Sequence, residues 1–201
     1  MKKIILASAS LRRIELLRQL GLTFEVIPSK VEEDVKEGEE PHEHVLRLAR
    51  LKAKEIARAH DDSLIIAADT IVVLDNEILG KPKDEEEAFT MLSRLSGREH
   101  QVFTGFCVRD ASDGTEYYEA VESKVRFKHL TMEEIKGYIK TGEPMDKAGA
   151  YAVQGKGSYM IKEIKGSYTN VVGLPLCELV EVLTRIKAIE LHPEGVKCPS
   201  E

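Results

Sequence analysis

The sequence predicts an α/β protein built on a mixed, twisted sheet flanked by helices. Short apolar runs and helix-length amphipathic segments alternate in the first half, and strand-like segments cluster in the second. The hydrophobic fraction, 42% of 201 residues, is enough for a core. With Trp absent and aromatics few, that core must be made mainly of Leu, Ile, Val and Ala. The length sits at the upper end of one domain or makes a two-lobed one.

Each element has a local reason. Lys3 to Ala7 is a short apolar run bounded by small polar residues, as a buried strand would be. A helix should follow from about Leu11 to Leu20, closed by Gly21, and Leu22 to Pro28 reads as a second strand. The acidic stretch Glu32 to Glu40 leads into a helix from about Pro41 to His60. Leu64 to Val73 is apolar except for Asp69 and Thr70. Asp84 can cap a helix ending near Gly97. Gln101 to Arg109 and Tyr117 to Phe127 pair as strands across the Ser112-Asp113-Gly114 turn.

Thr131 and Glu134 fit a capping box for a helix ending at Gly142. Ala150 to Gln154 and Ser158 to Ile164 are expected strands, and a last helix should run from near Pro175 to about Ile189. Residues 1–189 are therefore expected as a single two-lobed domain, and 190–201, with two prolines and little apolar content, as a flexible tail.

Composition narrows the function classes. A formal net charge of -6 argues against broad nucleic-acid binding, which needs a basic face. Cys107, Cys177 and Cys198 are odd in number and lack a C-x-x-C pair, so neither a disulfide framework nor a zinc knuckle is indicated. His42 and His44 lie two apart, which splits them between helix faces and makes poor metal spacing. The N-terminal apolar run is too short for a signal-peptide core, and no stretch approaches the ~20 apolar residues of a membrane span. A cytoplasmic location without membrane contact is the expectation.

Four places carry candidate chemistry. Ser8-Ala9-Ser10-Leu11-Arg12-Arg13 lies at a strand-to-helix junction with Ser10 as N-cap. Two arginines in a first helical turn face the positive end of the macrodipole, which costs stability unless an anion compensates. Backbone N–H groups, two hydroxyls and two guanidiniums describe a phosphate site; the alternative is that both arginines are solvated. Glycines and a Gly-Lys-Ser/Thr ending are missing, so this is not a Walker A loop.

Lys52 falls on the apolar stripe of Val45, Leu48, Ala49, Ala53 and Ile56, so it either snorkels outward or reaches a buried anion. Asp69-Thr70 ends the run Leu64-Ile65-Ile66-Ala67-Ala68, where a carboxylate could accept a proton from water, bind a metal or cap a turn. Finally, Gly149 and Gly155 bracket a segment ending in Gln154, whose amide offers a donor beside an acceptor, matching the edge of uracil or thymine. Lys81 in Gly80-Lys81-Pro82 and the acidic pair Glu32-Glu33, a possible source of hard oxygen ligands for Mg²⁺, are weaker signals alone.

Together these segments resemble the Maf family of nucleotide pyrophosphatases, in the same superfamily as the inosine triphosphate pyrophosphatases. The matching stretches are Leu6 to Arg13, Ala67 to Thr70, Leu79 to Pro82, Leu95-Ser96-Gly97, Asp146 to Gly155 and Asn170 to Pro175, in family order over about residues 4–180. The resemblance implies a two-lobed α/β fold with the substrate in a cleft between lobes. It puts the proton acceptor on Asp69 and phosphate handling on Ser8, Arg13, Lys52 and Lys81, with Glu33 as second acidic group. Arg12, Thr70 and Gln154 look like the subgroup acting on dTTP and UTP rather than the one acting on 7-methyl-GTP. Leu11 stands where the family usually has proline, which helps the first helical turn without being required there.

What the resemblance implies chemically is hydrolysis of a nucleoside triphosphate to monophosphate and pyrophosphate. Mg²⁺ or Mn²⁺ would be held by Glu33 and Asp69, and Ser10 and Arg12 would help seat the substrate. Two alternatives stay open: sanitising modified nucleotides, and a nucleotide-binding regulator of cell division. A homodimer is compatible with the sequence, which offers no heptad or exposed apolar stripe for one.

Overall fold

The computed structural model describes residues 2–192 and 195–197. The chain opens with β1 (Lys3–Leu6), α1 (Leu11–Gln19), β2 (Glu25–Val26), α2 (Pro41–Ala57) and β3 (Ser63–Leu74). It continues through β4 (Glu77–Leu79), α3 (Glu85–Leu95), β5 (Glu99–Asp110), β6 (Glu116–Phe127) and α4 (Met132–Ile139). β7 (Ile161–Lys165), α5 (Tyr168–Val172), α6 (Leu176–Arg185), β8 (Glu190–His192) and β9 (Gly195–Lys197) complete it.

Among the described residues one sheet has seven strands in the order β2-β1-β3-β5-β6-β7, with β4 on β3. β1 lies parallel to β2 and β3, while β4 on β3 and β7 on β6 are antiparallel. This is the mixed α/β sheet that the sequence predicts. The chain divides into two compact units.

The first unit holds the chain up to Asp69, Thr104–Val121 and the chain from Gly173 onward. Its core joins Ile5 and Ala7 of the β1 segment, Ala49, Ala53 and Ile56 of α2, Ile65 and Ala67 of β3, and Cys107 of β5. Alanines dominate the helix side, so α2 lies close to the sheet. Gly105 sets the limit of that approach: a Cβ there would stand 2.6 Å from the Val45 carbonyl carbon and 2.9 Å from the Leu46 nitrogen. Backbone cannot give way as a flexible side chain can. Gly105→Ala is therefore expected to destabilise the protein by about 1–3 kcal/mol, read as a lower denaturant midpoint at unchanged m. An unchanged midpoint would show that α2 is free to shift.

The second unit holds Thr70–Phe103 and Glu122–Val172. Here the cap chemistry is as expected. Asp84 accepts from the Glu87 N–H at 2.8 Å. Thr131 and Glu134 exchange both bonds of the capping box, at 3.2 and 2.9 Å. Its core centres on three rings, His100, Phe127 and Tyr151, meeting edge to face with centroids 4.7–5.3 Å apart.

His100 is 2% exposed and its Nε2 lies 2.7 Å from the Tyr151 hydroxyl. Burial pushes its pKa down from 6.5 to about 4. The folded state therefore refuses a proton that the unfolded chain accepts, so stability is lost as pH falls from about 6.5 towards 4. That loss amounts to about 3 kcal/mol when complete. His100→Gln should flatten the slope of unfolding free energy across this window, and an unaltered slope would count against a neutral buried His100.

Four boundaries differ from expectation. No strand forms over 150–154: Ala148–Ala150 and Gly155–Met160 are 3₁₀ turns and β7 begins only at Ile161. Positive φ at Gly149 (66°), Ala150 (59°) and Gly155 (84°) coils this segment instead of extending it. The second strand shrinks to Glu25–Val26. The last helix stops at Arg185, where the Lys187 N–H returns to the Thr184 carbonyl and Lys187 takes a φ of 57°. Within the expected tail, β8 and β9 pair antiparallel from Glu190↔Lys197 to His192↔Gly195. Residues 193, 194 and 198–201 of that tail lie outside the described ones.

Candidate active site

The first unit gathers most of the residues singled out from the sequence. β1 ends at Leu6, Ser8 follows buried, and Ser10 takes the N-cap position of α1 with extended backbone (φ -66°, ψ 113°). Its hydroxyl makes no capping bond, and the first turn of α1 carries no acidic residue. The turn instead presents Arg12 and Arg13. A positive helix end with two guanidiniums and no acidic residue in its first turn is an arrangement that can accommodate an anion.

Arg13 is tied down within the unit. Its Nε donates to the Gly173 carbonyl at 2.7 Å, and one Nη donates to the Ala68 carbonyl at 2.8 Å and to Ser8 Oγ at 3.3 Å. Ser8 Oγ also accepts from the Ser10 N–H at 3.2 Å. Burial lowers the Arg13 pKa, against which the carboxylates of Asp69 and Glu33 favour the cation. The guanidinium thus fixes the β3 backbone beside Asp69 and adds positive charge near it.

Lys52 does not snorkel to solvent. It is 6% exposed, and its Nζ donates to Asp69 Oδ1 and to Glu33 Oε1, each at 2.6 Å. Asp69 is 5% exposed on β3, with apolar residues before it and, beyond Thr70, after it. A lysine on the buried stripe of α2 and a carboxylate inside an apolar strand are each costly alone, and together they compensate one another. Glu33, on the irregular segment before α2, keeps a side chain 42% exposed. The trio is a buried cation bridging a buried and an accessible carboxylate.

The remaining candidates belong to the second unit. Thr70 follows Asp69 on β3 and is half-buried; Lys81 is exposed between β4 and α3; Gln154 is half-buried before a 3₁₀ turn. Two of their segments are joined, because the Gly149 N–H donates to the Gly80 carbonyl at 3.0 Å.

Sequence reasoning missed Glu143. Its carboxylate accepts from the Lys156 N–H at 3.0 Å, the Gly157 N–H at 3.1 Å and the Tyr138 hydroxyl at 2.9 Å. Burial opposes ionisation, but these bonds hold the group below the usual carboxylate range. A Cβ on Gly155 would stand 2.7 Å from Glu143 Oε2, so glycine is needed there for space as well as for its φ of 84°. Glu143 thereby fixes the turn immediately after Gln154. The spacing of Glu143 and Gly155 could have hinted at a carboxylate-pinned turn, but nothing local distinguishes it from a surface acid.

Among the described residues no group of three or more His, Cys, Asp or Glu is placed to hold a metal unaided. Asp69 and Glu33 are two hard oxygen donors, and both meet the Lys52 ammonium. That donor set suits a divalent cation shared with the oxygens of a phosphate-bearing ligand rather than an all-protein cage.

The fold defines an α/β class shared with the Ham1 protein of Staphylococcus aureus, which superposes with a TM-score of 0.51 at 18% identity over 92% of this chain and 97% of that one. The chain belongs to the Maf family: the Maf-like protein model matches residues 3–186. It is 55% identical over 187 residues to a dTTP/UTP pyrophosphatase of Geotalea uraniireducens (strain Rf4), covering 93% of this chain and 96% of the relative. Similar relatives of the same description occur in Geobacter sulfurreducens, at 52% identity over 93% and 98% of the two chains. Another is found in Clostridioides difficile, at 47% over 94% and 97%.

Proposed function

We propose that this chain is a nucleoside triphosphate pyrophosphatase that hydrolyses dTTP and UTP to the monophosphate and pyrophosphate. What carries the reading is the near full-length likeness to relatives of that activity. The Lys52 bridge between Asp69 and Glu33 gives it a chemical basis.

Water attacks the α-phosphorus: a bond forms from the water oxygen, the α–β bridging P–O bond breaks, and pyrophosphate leaves. Asp69 accepts the water proton, its carboxylate oriented by Lys52. Ser8, Ser10, Arg12 and the first-turn N–H groups of α1 bind phosphate oxygens. Arg13, Lys52 and Lys81 add positive charge against the departing pyrophosphate. Thr70 and Gln154 select the pyrimidine edge, the Gln154 amide presenting its donor and acceptor together. Glu33 and Asp69 would hold a divalent cation, Mg²⁺ or Mn²⁺, which would neutralise triphosphate charge when bound. A cytoplasmic setting and a homodimer belong to the same proposal; a nucleic-acid partner, in view of the net charge of -6, does not.

The test is product analysis with purified protein, Mg²⁺ and a panel of dTTP, UTP, ITP and methylated pyrimidine triphosphates. Monophosphate plus pyrophosphate from dTTP and UTP is the expected result. Diphosphate plus orthophosphate would overturn the site of attack, and preference for a methylated nucleotide would overturn the substrate assignment.

A further inference from the structure

Glu33 is the most exposed member of the trio. It sits on the irregular chain between β2 and α2, its side chain 42% exposed, so burial does not fix where its carboxylate lies. Two clamps on α2 bracket it. Upstream, the Glu55 carboxylate accepts from the Ser29 hydroxyl and from the Lys30 N–H, the latter at 2.9 Å. Downstream, Glu39 is paired twice: Arg47 Nε and Nη2 reach its two oxygens at 2.5 and 2.8 Å, and His44 Nδ1 lies 2.9 Å away. The same Arg47 Nη2 donates to the Asp34 carbonyl at 2.8 Å. Asp34 is the residue next to Glu33.

We infer that Arg47, held by Glu39, is a positioning residue that fixes the backbone beside Glu33 and so keeps the Glu33 carboxylate on Lys52. A planar guanidinium can grip a carboxylate with two N–H groups while spanning to a carbonyl; an ammonium or a thioether cannot. Glu39 is half-buried, its side chain 9% exposed, although it belongs to an acidic run that would otherwise be solvated. The inference rests on the proposed role of Glu33 in the hydrolysis.

The test is a double-mutant cycle on dTTP hydrolysis by the full chain, with hydrogen exchange of residues 30–37 measured in parallel. Arg47→Met is expected to lower kcat about 10- to 100-fold and to speed that exchange. Because Arg47 acts through Glu33, the E33Q/R47M double variant should be no slower than E33Q within about twofold. Arg47→Lys should fall between wild type and R47M, and Glu39→Gln, which keeps the shape and one accepting oxygen but turns the other into a donor NH2, should show a milder loss of the same kind. Losses that multiply in the double variant, or unaltered exchange in R47M, would overturn the positioning role while leaving Glu33 in place. Wild-type turnover by E33Q would overturn the role of Glu33 itself, and the positioning role with it.

Discussion

Asp69→Asn is expected to lower kcat on dTTP by about 10²- to 10⁴-fold while leaving the protein folded and KM little changed. That range is what a positioned proton acceptor contributes. Asparagine keeps the shape of the side chain, and its carbonyl oxygen can still accept from Lys52 Nζ, now 2.6 Å from Asp69 Oδ1. What it loses is the capacity to take a proton from water. The choice of Asn over Ala matters for that reason: removing the whole side chain would leave Lys52 buried with only the accessible Glu33 and confound catalysis with stability. Turnover close to wild type would show that another group accepts the proton, and the assignment would have to move off β3.

Asp69 was legible in the sequence because the strand around it, Thr70 apart, is a long apolar run. Leu64 to Ala68 and Ile71 to Leu74 are all buried, so an acid in their midst needs a compensating partner. Lys52 was legible for the matching reason, as a cation on an apolar helical stripe. Neither reading named the other as its partner, since the pairing exists only once α2 packs on the sheet. The capping box at Thr131 and the cap at Asp84 were local enough to be read without tertiary structure.

Elsewhere tertiary context overrode local pattern. Ala150 to Val153 are buried and apolar, which reads as strand; the left-handed residues around them are invisible to periodicity. The β3–β4 hairpin had a readable signal that went unused. Asp75 and Asn76 both take positive φ, 54° and 65°, as a two-residue turn of the primed type requires, and these residue types tolerate it. Glu39 shows the opposite limit. In an acidic run nothing local marks the carboxylate that will be gripped by its neighbours, because that depends on Arg47 and His44 arriving from α2.

Lys52→Met is expected to be the most destabilising single substitution in the site, at about 3–5 kcal/mol, in addition to abolishing turnover. The reason is what it leaves behind. Asp69, with a side chain 7% exposed, would keep its negative charge in an apolar strand, near Glu33 and without the cation that now meets both. Methionine replaces the stem volume, so the loss would be electrostatic rather than a cavity. The K52M/D69N double variant separates the two roles of the pair. Without the unpaired Asp69 carboxylate, it should recover much of the lost stability, because a neutral amide costs less to bury than an uncompensated charge. It should recover none of the turnover. Equilibrium unfolding of the two variants decides the matter: a double variant as unstable as K52M would mean that Lys52 supports the fold through packing of its stem, not through Asp69.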